Sequence, residues 1–378
     1  MFDDARWMQR ALELACLAQG RTSPNPLVGA VVVREGREVG CGYHAAPGSP
    51  HAEAVALAAA GSLARGATLY VNLEPCNHHG RTPPCTEAIL AAGIRRVVVA
   101  HEDPDPRVRG SGIARLRAGG VEVEVGVLEG EARRINAAYL KHRTTGLPFV
   151  TVKWAMSLDG RIATRTGSSR WITGPQAREE AHRLRDTHDA VLVGIGTVLR
   201  DDPALTCRIP GGRDPLRVVA DSRLRMPPHA RMLREGRSPV VVATTSRADP
   251  ERAEVLRRAG AEVWVCGEEG GRVLLRDLLE RLGDRGVLSV LVEGGSRLHA
   301  AVLQAGLADR IVAYIAPVLI GGQEAPGPVG GAGVAEIAQA LRLRTLTVRS
   351  VGPDLCVEAE VSGALPVHTA VAGSGRGR

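Results

Sequence analysis

Four residues between positions 51 and 85 carry the groups needed to activate water at a metal. His51 offers an imidazole, Cys76 and Cys85 offer thiolates, and Glu53 adds a carboxylate two residues after the histidine. One nitrogen and two sulfur ligands suit Zn²⁺, and zinc on three protein ligands keeps its fourth position open for water, as catalytic sites do. Bound zinc lowers the pKa of water from about 16 to about 7, so a nucleophile is available at neutral pH. A base must still move protons. Glu53 falls in the first turn of an expected helix, where it can face the activated water without ligating the metal. A lone His or Cys is ordinarily core or surface; three ligands and a carboxylate in this order point to hydrolytic zinc chemistry.

These groups need rigid supports, and the hydrophobic periodicity supplies them. A helix is expected over about Asp4 to Ala18, then strands near Val28 to Val33 and Glu38 to Tyr43, joined by a turn at Glu35-Gly36. The segment HAEAVALAAA reads as a helix ending at Gly61, followed by a strand from Ala67 and a helix from near Cys85 to Gly93. Strand IRRVVVA, a helix near Ile113 to Ala118, strand VEVEV and a helix from Glu129 to His142 complete an alternating α/β pattern. His51 and Cys85 therefore both stand at helix starts, where free N–H groups favour anions. Asn25, His44, His78 and His79 are candidates for holding a substrate, although Asn25, between two prolines, equally suits a turn. Asp103-Pro104-Asp105-Pro106 either rims the pocket or caps the next helix.

The chain has 378 residues, too many for one ordinary core, and 44% hydrophobic residues, as a globular protein has. Its opening, MFDDARWMQR, has no uninterrupted apolar run, so no signal peptide is expected, and no stretch of apolar residues is long enough to span a membrane. Seven cysteines, an odd number, leave Cys16, Cys41, Cys207, Cys266 and Cys356 as ordinary thiols and imply a reducing, cytoplasmic setting. The net charge of +7 is diffuse, and 3% aromatic residues leave few platforms for stacking bases. Nucleic acid and membrane partners are thus not expected. The basic balance suits phosphate-bearing small molecules, or has no specific meaning.

A break at Thr144-Thr145-Gly146-Leu147-Pro148 divides a first domain, 1–146, from a second, 147–363. The second opens with the strand FVTVKWAM and alternates through apolar runs to Arg310–Ile315, without an internal repeat; residues 364–378 lose periodicity and are expected to be disordered. Gly194-Ile195-Gly196-Thr197 lacks the third glycine of a Rossmann fingerprint. A better anion cradle is VLVEGGSRLHAAVL, a buried strand passing through Glu293-Gly294-Gly295 into a helix. Paired glycines at such a turn often do no more than close a strand against its helix.

His51-x-Glu53 with Pro75-Cys76 resembles the zinc-dependent deaminases. Nucleoside and nucleic-acid deaminases usually place two residues between their cysteines; here there are eight. That insert, with Pro24-Asn25-Pro26-Leu27-Val28-Gly29, resembles the deaminase half of the bifunctional riboflavin-biosynthesis deaminase/reductases. Ala155-Met156-Ser157-Leu158-Asp159-Gly160-Arg161, Trp171-Ile172-Thr173 and the run from Gly196 to Thr206 resemble the reductase half, so the resemblance covers roughly residues 1–362. It implies a cytidine-deaminase-like α/β sandwich followed by a dihydrofolate-reductase-like α/β domain.

By the same resemblance, Ala155, Trp171, Thr197, Asp201, Ser222 and Gly295 contact NADPH, and Ser169, Arg185, Leu205, Arg208 and Glu293 contact substrate. Asn25, His44 and either His78 or His79 join the deaminase pocket; Lys153 and Glu293 are the polar groups of interest in the reductase pocket. Guanidinium groups suit phosphate, although Arg185 also reads as part of a solvated helix face. The implied chemistry is deamination of a phosphorylated aminopyrimidine, with Glu53 as proton shuttle, then hydride transfer from NADPH to the ribosyl carbon. A tRNA or nucleotide deaminase with an accessory nucleotide-binding domain is the alternative. Association into a homo-oligomer is compatible with both domain types.

Overall fold

The computed structural model describes residues 2–78, 83–106 and 108–361. The chain folds as two compact units that meet in sequence between Gly146 and Leu147. His79 and residues 364–378, on which expectations were placed, lie outside the described residues.

The first unit runs α1 (Phe2–Cys16), β1 (Gly29–Arg34), β2 (Arg37–Tyr43), α2 (Ala52–Ala60), β3 (Thr68–Val71), α3 (Cys85–Ala92), β4 (Arg96–Val99), α4 (Ser111–Ala118), β5 (Glu122–Val125), α5 (Glu129–Ile135) and α6 (Ala137–Thr145). Its sheet has the order β2-β1-β3-β4-β5, antiparallel across β2-β1-β3 and parallel from β3 to β5. Glu35 and Gly36, both at positive φ, make the two-residue turn between β1 and β2. Successive β1 side chains face opposite layers, and both are buried. Val31 and Val33 pack with Trp7, Met8 and Leu12 of α1, while Ala30 and Val32 pack with Ala52, Ala56 and Ile89 of α2 and α3.

The small residues of α2 have a steric cause. A Cβ on Gly40 of β2 would lie 2.4 Å from the Ala56 carbonyl oxygen, and one on Gly42 would lie 2.6 Å from Val55 Cβ. Helix backbone and strand backbone are therefore nearly in contact, which fixes the His51/Glu53 end of α2 on the sheet. One expectation needs correction. The helix anticipated over Glu129 to His142 is two helices, broken at Asn136, whose side chain is committed elsewhere.

The second unit runs β6 (Phe149–Ser157), α7 (Pro175–Thr187), β7 (Ala190–Gly194), α8 (Ile195–Asp201), β8 (Leu216–Ala220), α9 (Arg231–Arg234), β9 (Val240–Thr244), α10 (Pro250–Arg258), β10 (Ala261–Val265), the short pair β11 (Glu268–Glu269) and β12 (Arg272–Val273), α11 (Leu275–Asp284), β13 (Ser289–Val292), α12 (Ser296–Gln304), β14 (Arg310–Ala316), β15 (Leu343–Val351) and β16 (Asp354–Val361). Nine strands form one sheet, β10-β9-β8-β7-β13-β6-β14-β16-β15, parallel except where β16 joins β14 and β15. Val-rich parallel strands buried on both faces explain the continuous apolar runs. At the middle of the sheet, Lys153, halfway along β6, stands level with the carboxyl ends of β7 and β13, which carry Gly194 and the Glu293-Gly294-Gly295 turn. Among the described residues no helix is long and apolar enough to cross a membrane.

Candidate functional site

In the first unit, His51 ends the loop before α2 as its N-cap and Cys85 opens α3. His51 Nδ1 lies 3.2 Å from Cys85 Sγ and 3.5 Å from Cys76 Sγ, and the three donor atoms all lie within 4.8 Å of one another. Zinc bonds of about 2.0–2.3 Å in a tetrahedron place nitrogen and sulfur donors roughly 3.5 Å apart, so the donor set fits a single zinc ion. Cys85 N donates to Cys76 Sγ at 3.4 Å. The hydrogen bond from the Cys85 side chain, against the cost of burial, holds the Cys76 thiol well below its ordinary range, which favours the ligating thiolate.

Glu53 sits in the first turn of α2 and is only 4% exposed. Burial, reinforced by the nearby Cys76 sulfur, pushes its carboxyl up to about 7, near the value wanted of a group that takes and returns a proton at neutral pH. Asn25 and His44 are brought together beside this cluster. Asn25 Nδ2 lies 3.0 Å from His44 Nε2, His44 Nδ1 lies 3.2 Å from the Pro50 carbonyl, and the His44 and His51 rings are 5.6 Å apart, edge to face. If Nδ1 carries the proton donated to Pro50, Nε2 accepts from Asn25, leaving Asn25 Oδ1 free of that pair. His78 is exposed at the start of the inserted loop.

Three buried polar residues around this cluster escape a reading by motif. Asn72 accepts from Gly29 N at 2.8 Å and donates to Leu27 O at 2.9 Å. Asn136 accepts from Leu27 N and donates to Leu27 O. Glu74, two residues before Cys76 and 4% exposed, accepts from the backbone N–H groups of Asp103, Gly110, Gly112 and Ile113 at 2.9–3.3 Å. It thereby caps α4, whose own N-cap is a glycine without a side chain. No local pattern announces these residues, because each partner is remote in sequence.

In the second unit, Glu293 stands at the end of β13 between two cations. Arg185 of α7 donates to it from Nε at 2.5 Å and Nη2 at 3.0 Å, and Lys153 Nζ lies 3.6 Å away. The third guanidinium nitrogen, Nη1, donates to Thr206 O at 3.1 Å. Arg185 therefore faces inward to hold Glu293 rather than outward to solvent. Burial opposes the Glu293 charge, but Arg185 and then Lys153 outweigh it and hold the carboxyl down at about 2. Burial lowers the Lys153 ammonium. Trp171 and Arg208 line a cleft of ≈ 350 Å³ with Arg178, Glu179 and His182; His182, one helical turn before Arg185, was not among the expected residues. Arg208 N donates to His182 Nδ1 at 3.3 Å, and Leu205 is buried at φ 54°. Ser169 is half-buried.

The paired glycines divide their work. A Cβ on Gly294 would lie 2.5 Å from Leu298 Cδ2, so that glycine closes strand on helix, whereas a Cβ on Gly295 would meet nothing nearer than Thr197 Oγ1 at 3.9 Å. Gly295 N-caps the nine-residue α12, and Thr197 lies in the first turn of α8 after the neighbouring strand β7. Open space before a helix N-terminus fits the phosphates of a dinucleotide. Ala155 lies on β6, the Asp201 carbonyl accepts from Arg170, and Ser222, beyond β8, accepts from Val273 N. The hydroxyl of Ser222 is thus also a tie to β12.

Comparison with known proteins agrees with both halves. The family described as the cytidine and deoxycytidylate deaminase zinc-binding region matches residues 1–101, and the RibD C-terminal domain matches residues 148–357. The chain is similar to the riboflavin biosynthesis protein RibD of Aquifex aeolicus, 45% identical over 94% of this chain and 97% of the relative, and to that of Escherichia coli, 42% identical over 94% and 98%. Among solved structures, Acinetobacter baumannii RibD superposes with a TM-score of 0.86 at 40% identity, covering 95% of this chain and 99% of that one. A Thermotoga maritima diaminohydroxyphosphoribosylaminopyrimidine deaminase/5-amino-6-(5-phosphoribosylamino)uracil reductase superposes with a TM-score of 0.84 at 36% identity and the same coverage. Matched over both units and nearly its whole length, the chain belongs to the RibD family of riboflavin-biosynthesis proteins.

Proposed function

We propose that this chain catalyses two successive steps of riboflavin biosynthesis, deaminating 2,5-diamino-6-(5-phosphoribosylamino)pyrimidin-4-one in the first unit and reducing the ribosyl group of the product to ribityl with NADPH in the second. The observation that carries the first step is a buried carboxylate, Glu53, beside three converging zinc donors. Zinc held by His51, Cys76 and Cys85 supplies a water activated at neutral pH. Glu53 accepts the proton of that water as its oxygen bonds to the ring carbon, then returns it to the departing amine, which leaves as ammonia. Asn25 and His44 hold the pyrimidine, with His78 at the loop edge.

In the second unit, bound NADPH supplies the hydride. Gly295, Thr197, Ala155, Trp171, Asp201 and Ser222 hold the cofactor; Ser169, Leu205 and Arg208 border the substrate. Arg185 fixes Glu293, and Glu293 fixes Lys153 beside the reacting carbon. A lone nucleotide deaminase with an accessory domain is not favoured, because the family relatives align across both units.

The test supplies the diaminopyrimidine ribotide with NADPH and follows ammonia and NADPH separately. Ammonia release without reductant and NADPH oxidation on the deaminated compound are expected. Ammonia from cytosine or adenine nucleotides, with no NADPH oxidation, would overturn the reading. A second check concerns the cradle: Gly295 has φ −69° and ψ 173°, an extended conformation that valine adopts readily. Gly295→Val should fill the open space and weaken NADPH binding by roughly tenfold, about 1.4 kcal/mol, with deamination unchanged. Normal titration by NADPH would remove the cofactor from this turn.

We further place the protein in the cytoplasm as a homo-oligomer. Self-association is supported by the sheet edge β15, where Leu343, Leu346 and Val348 are 43%, 63% and 54% exposed, since apolar edge strands are ordinarily covered. Light scattering of the purified protein reads the assembly directly.

A further inference from the structure

Helix α6 holds together the segment that carries Asn25 and the loop after β4, which is tied to Glu74 two residues before Cys76, and the role proposed for this helix rests on the deaminase reading. Asn136, Tyr139 and Arg143, spaced by three and four residues, lie along one side of this helix and its N-cap. Each grips one or both of these segments. Asn136 bonds both backbone polar groups of Leu27, at 2.8 Å and 2.9 Å, and Arg143 Nη2 donates to Pro24 O at 3.4 Å. The segment between those contacts carries Asn25, which lies 3.0 Å from His44.

The same helix also reaches the loop after β4. The Tyr139 hydroxyl donates to the Asp103 carboxylate at 3.0–3.1 Å, and Arg143 Nε lies 4.0 Å from the Asp105 carboxylate. Asp103 in turn accepts from Asp105 N at 2.9 Å and donates its own N–H to Glu74, two residues before Cys76. Gly112, in the first turn of α4 where this loop ends, has no room for a Cβ, which would lie 2.0 Å from the Pro75 carbonyl oxygen. The loop is therefore seated on the cysteine segment at one end and on α6 at the other. Burial pushes the Asp103 carboxyl up, and the hydrogen bonds from Asp105 N and Tyr139 offset that cost, so removing the hydroxyl loosens the loop at its anchor.

We propose that Asn136, Tyr139 and Arg143 are positioning residues for deamination, and that the separation they set, between Asn25 and the Asp103–Asp105 segment, is the one between two walls of the substrate pocket. The zinc donors and Glu53 are held by α2, α3 and the cysteine segment. Loss of an α6 contact thus acts on substrate affinity before it acts on the reacting atoms.

Tyr139→Phe removes one oxygen and keeps the buried ring. In the full-length zinc-loaded protein, KM for deamination should rise roughly tenfold while kcat stays within about threefold. Zinc content and reduction of the deaminated compound should match wild type, and exchange of the Asp105 N–H should accelerate. Arg143→Met, which keeps the apolar stem, should raise KM in the same direction and serves if the first variant folds poorly. Unchanged KM and unchanged exchange in both variants overturn the proposal and make Tyr139 a core aromatic only. A fall in kcat at constant KM also overturns it, because the effect would then lie at the reaction centre. Should wild type release no ammonia, the deaminase reading fails, and unchanged exchange at Asp105 separately overturns the anchoring role.

Discussion

Glu53→Gln is expected to keep a full complement of zinc while deamination falls by about 10²–10⁴-fold, the usual contribution of a positioned general acid–base group. The substitution preserves shape. It removes only the capacity to take a proton from the attacking water and return it to the amine. Because the native carboxyl is buried and pushed up to about 7 by that burial, a neutral amide at this position has little desolvation to overcome. The variant should therefore unfold at a temperature no lower than wild type, and lost activity will not reflect lost fold. Cys85→Ser supplies the contrast, since it removes a donor and should release the metal together with the activity. Metal analysis, ammonia release and thermal unfolding on the two variants separate base from ligand. Normal deamination by Glu53→Gln would make Glu53 a structural residue and send the search to another base.

The convergence of His51, Cys76 and Cys85 was legible in the sequence because these side chains do little else in this combination, and because His51 and Cys85 stand where helix-start signals also fall. The helix α2 was legible for the same reason, although the cause of its small residues, close contact with Gly40 and Gly42, appears only in the fold. Glu74, Asn72 and Asn136 were not legible. Each is a single polar residue whose meaning comes from backbone groups 29 to 109 positions away. Asn136 also broke a helix that the local pattern continued. Arg185 has the same lesson in reverse: AREEAHRLRD reads as a charged surface helix, yet this one arginine turns inward to a carboxylate 108 residues later. The hairpin β15–β16 was missed because the strand Leu343–Val351 is exposed along eight of its nine residues and shows no buried face to alternate against.

Glu293→Gln should have the largest effect on the second unit, and the reason is charge rather than shape. The native carboxylate lies within 3.6 Å of both Lys153 and Arg185, and all three side chains are at most 14% exposed. Removing the one anion leaves two like charges facing each other in a poorly solvated pocket. Breaking a buried pair in this way costs about 3–5 kcal/mol, far more than an exposed pair is worth. Reduction of the deaminated compound should fall with it, because Lys153 loses the partner that fixes its ammonium, while deamination should persist. The pH dependence has a definite sign. Arg185 and Lys153, overcoming the burial cost, hold Glu293 down to about 2 against an ordinary value of 4.5, so its contribution is complete above that ordinary value and is lost as pH falls towards 2. The difference in stability between wild type and variant should accordingly be flat from neutral pH down to about 5 and should shrink below it. Chemical denaturation followed at several pH values, with the Trp154 and Trp264 environment of the second unit as reporter, measures that difference. A variant as stable as wild type at pH 7 would mean that Lys153 and Arg185 find other partners, and that Glu293 is not the anion around which the reductase pocket is built.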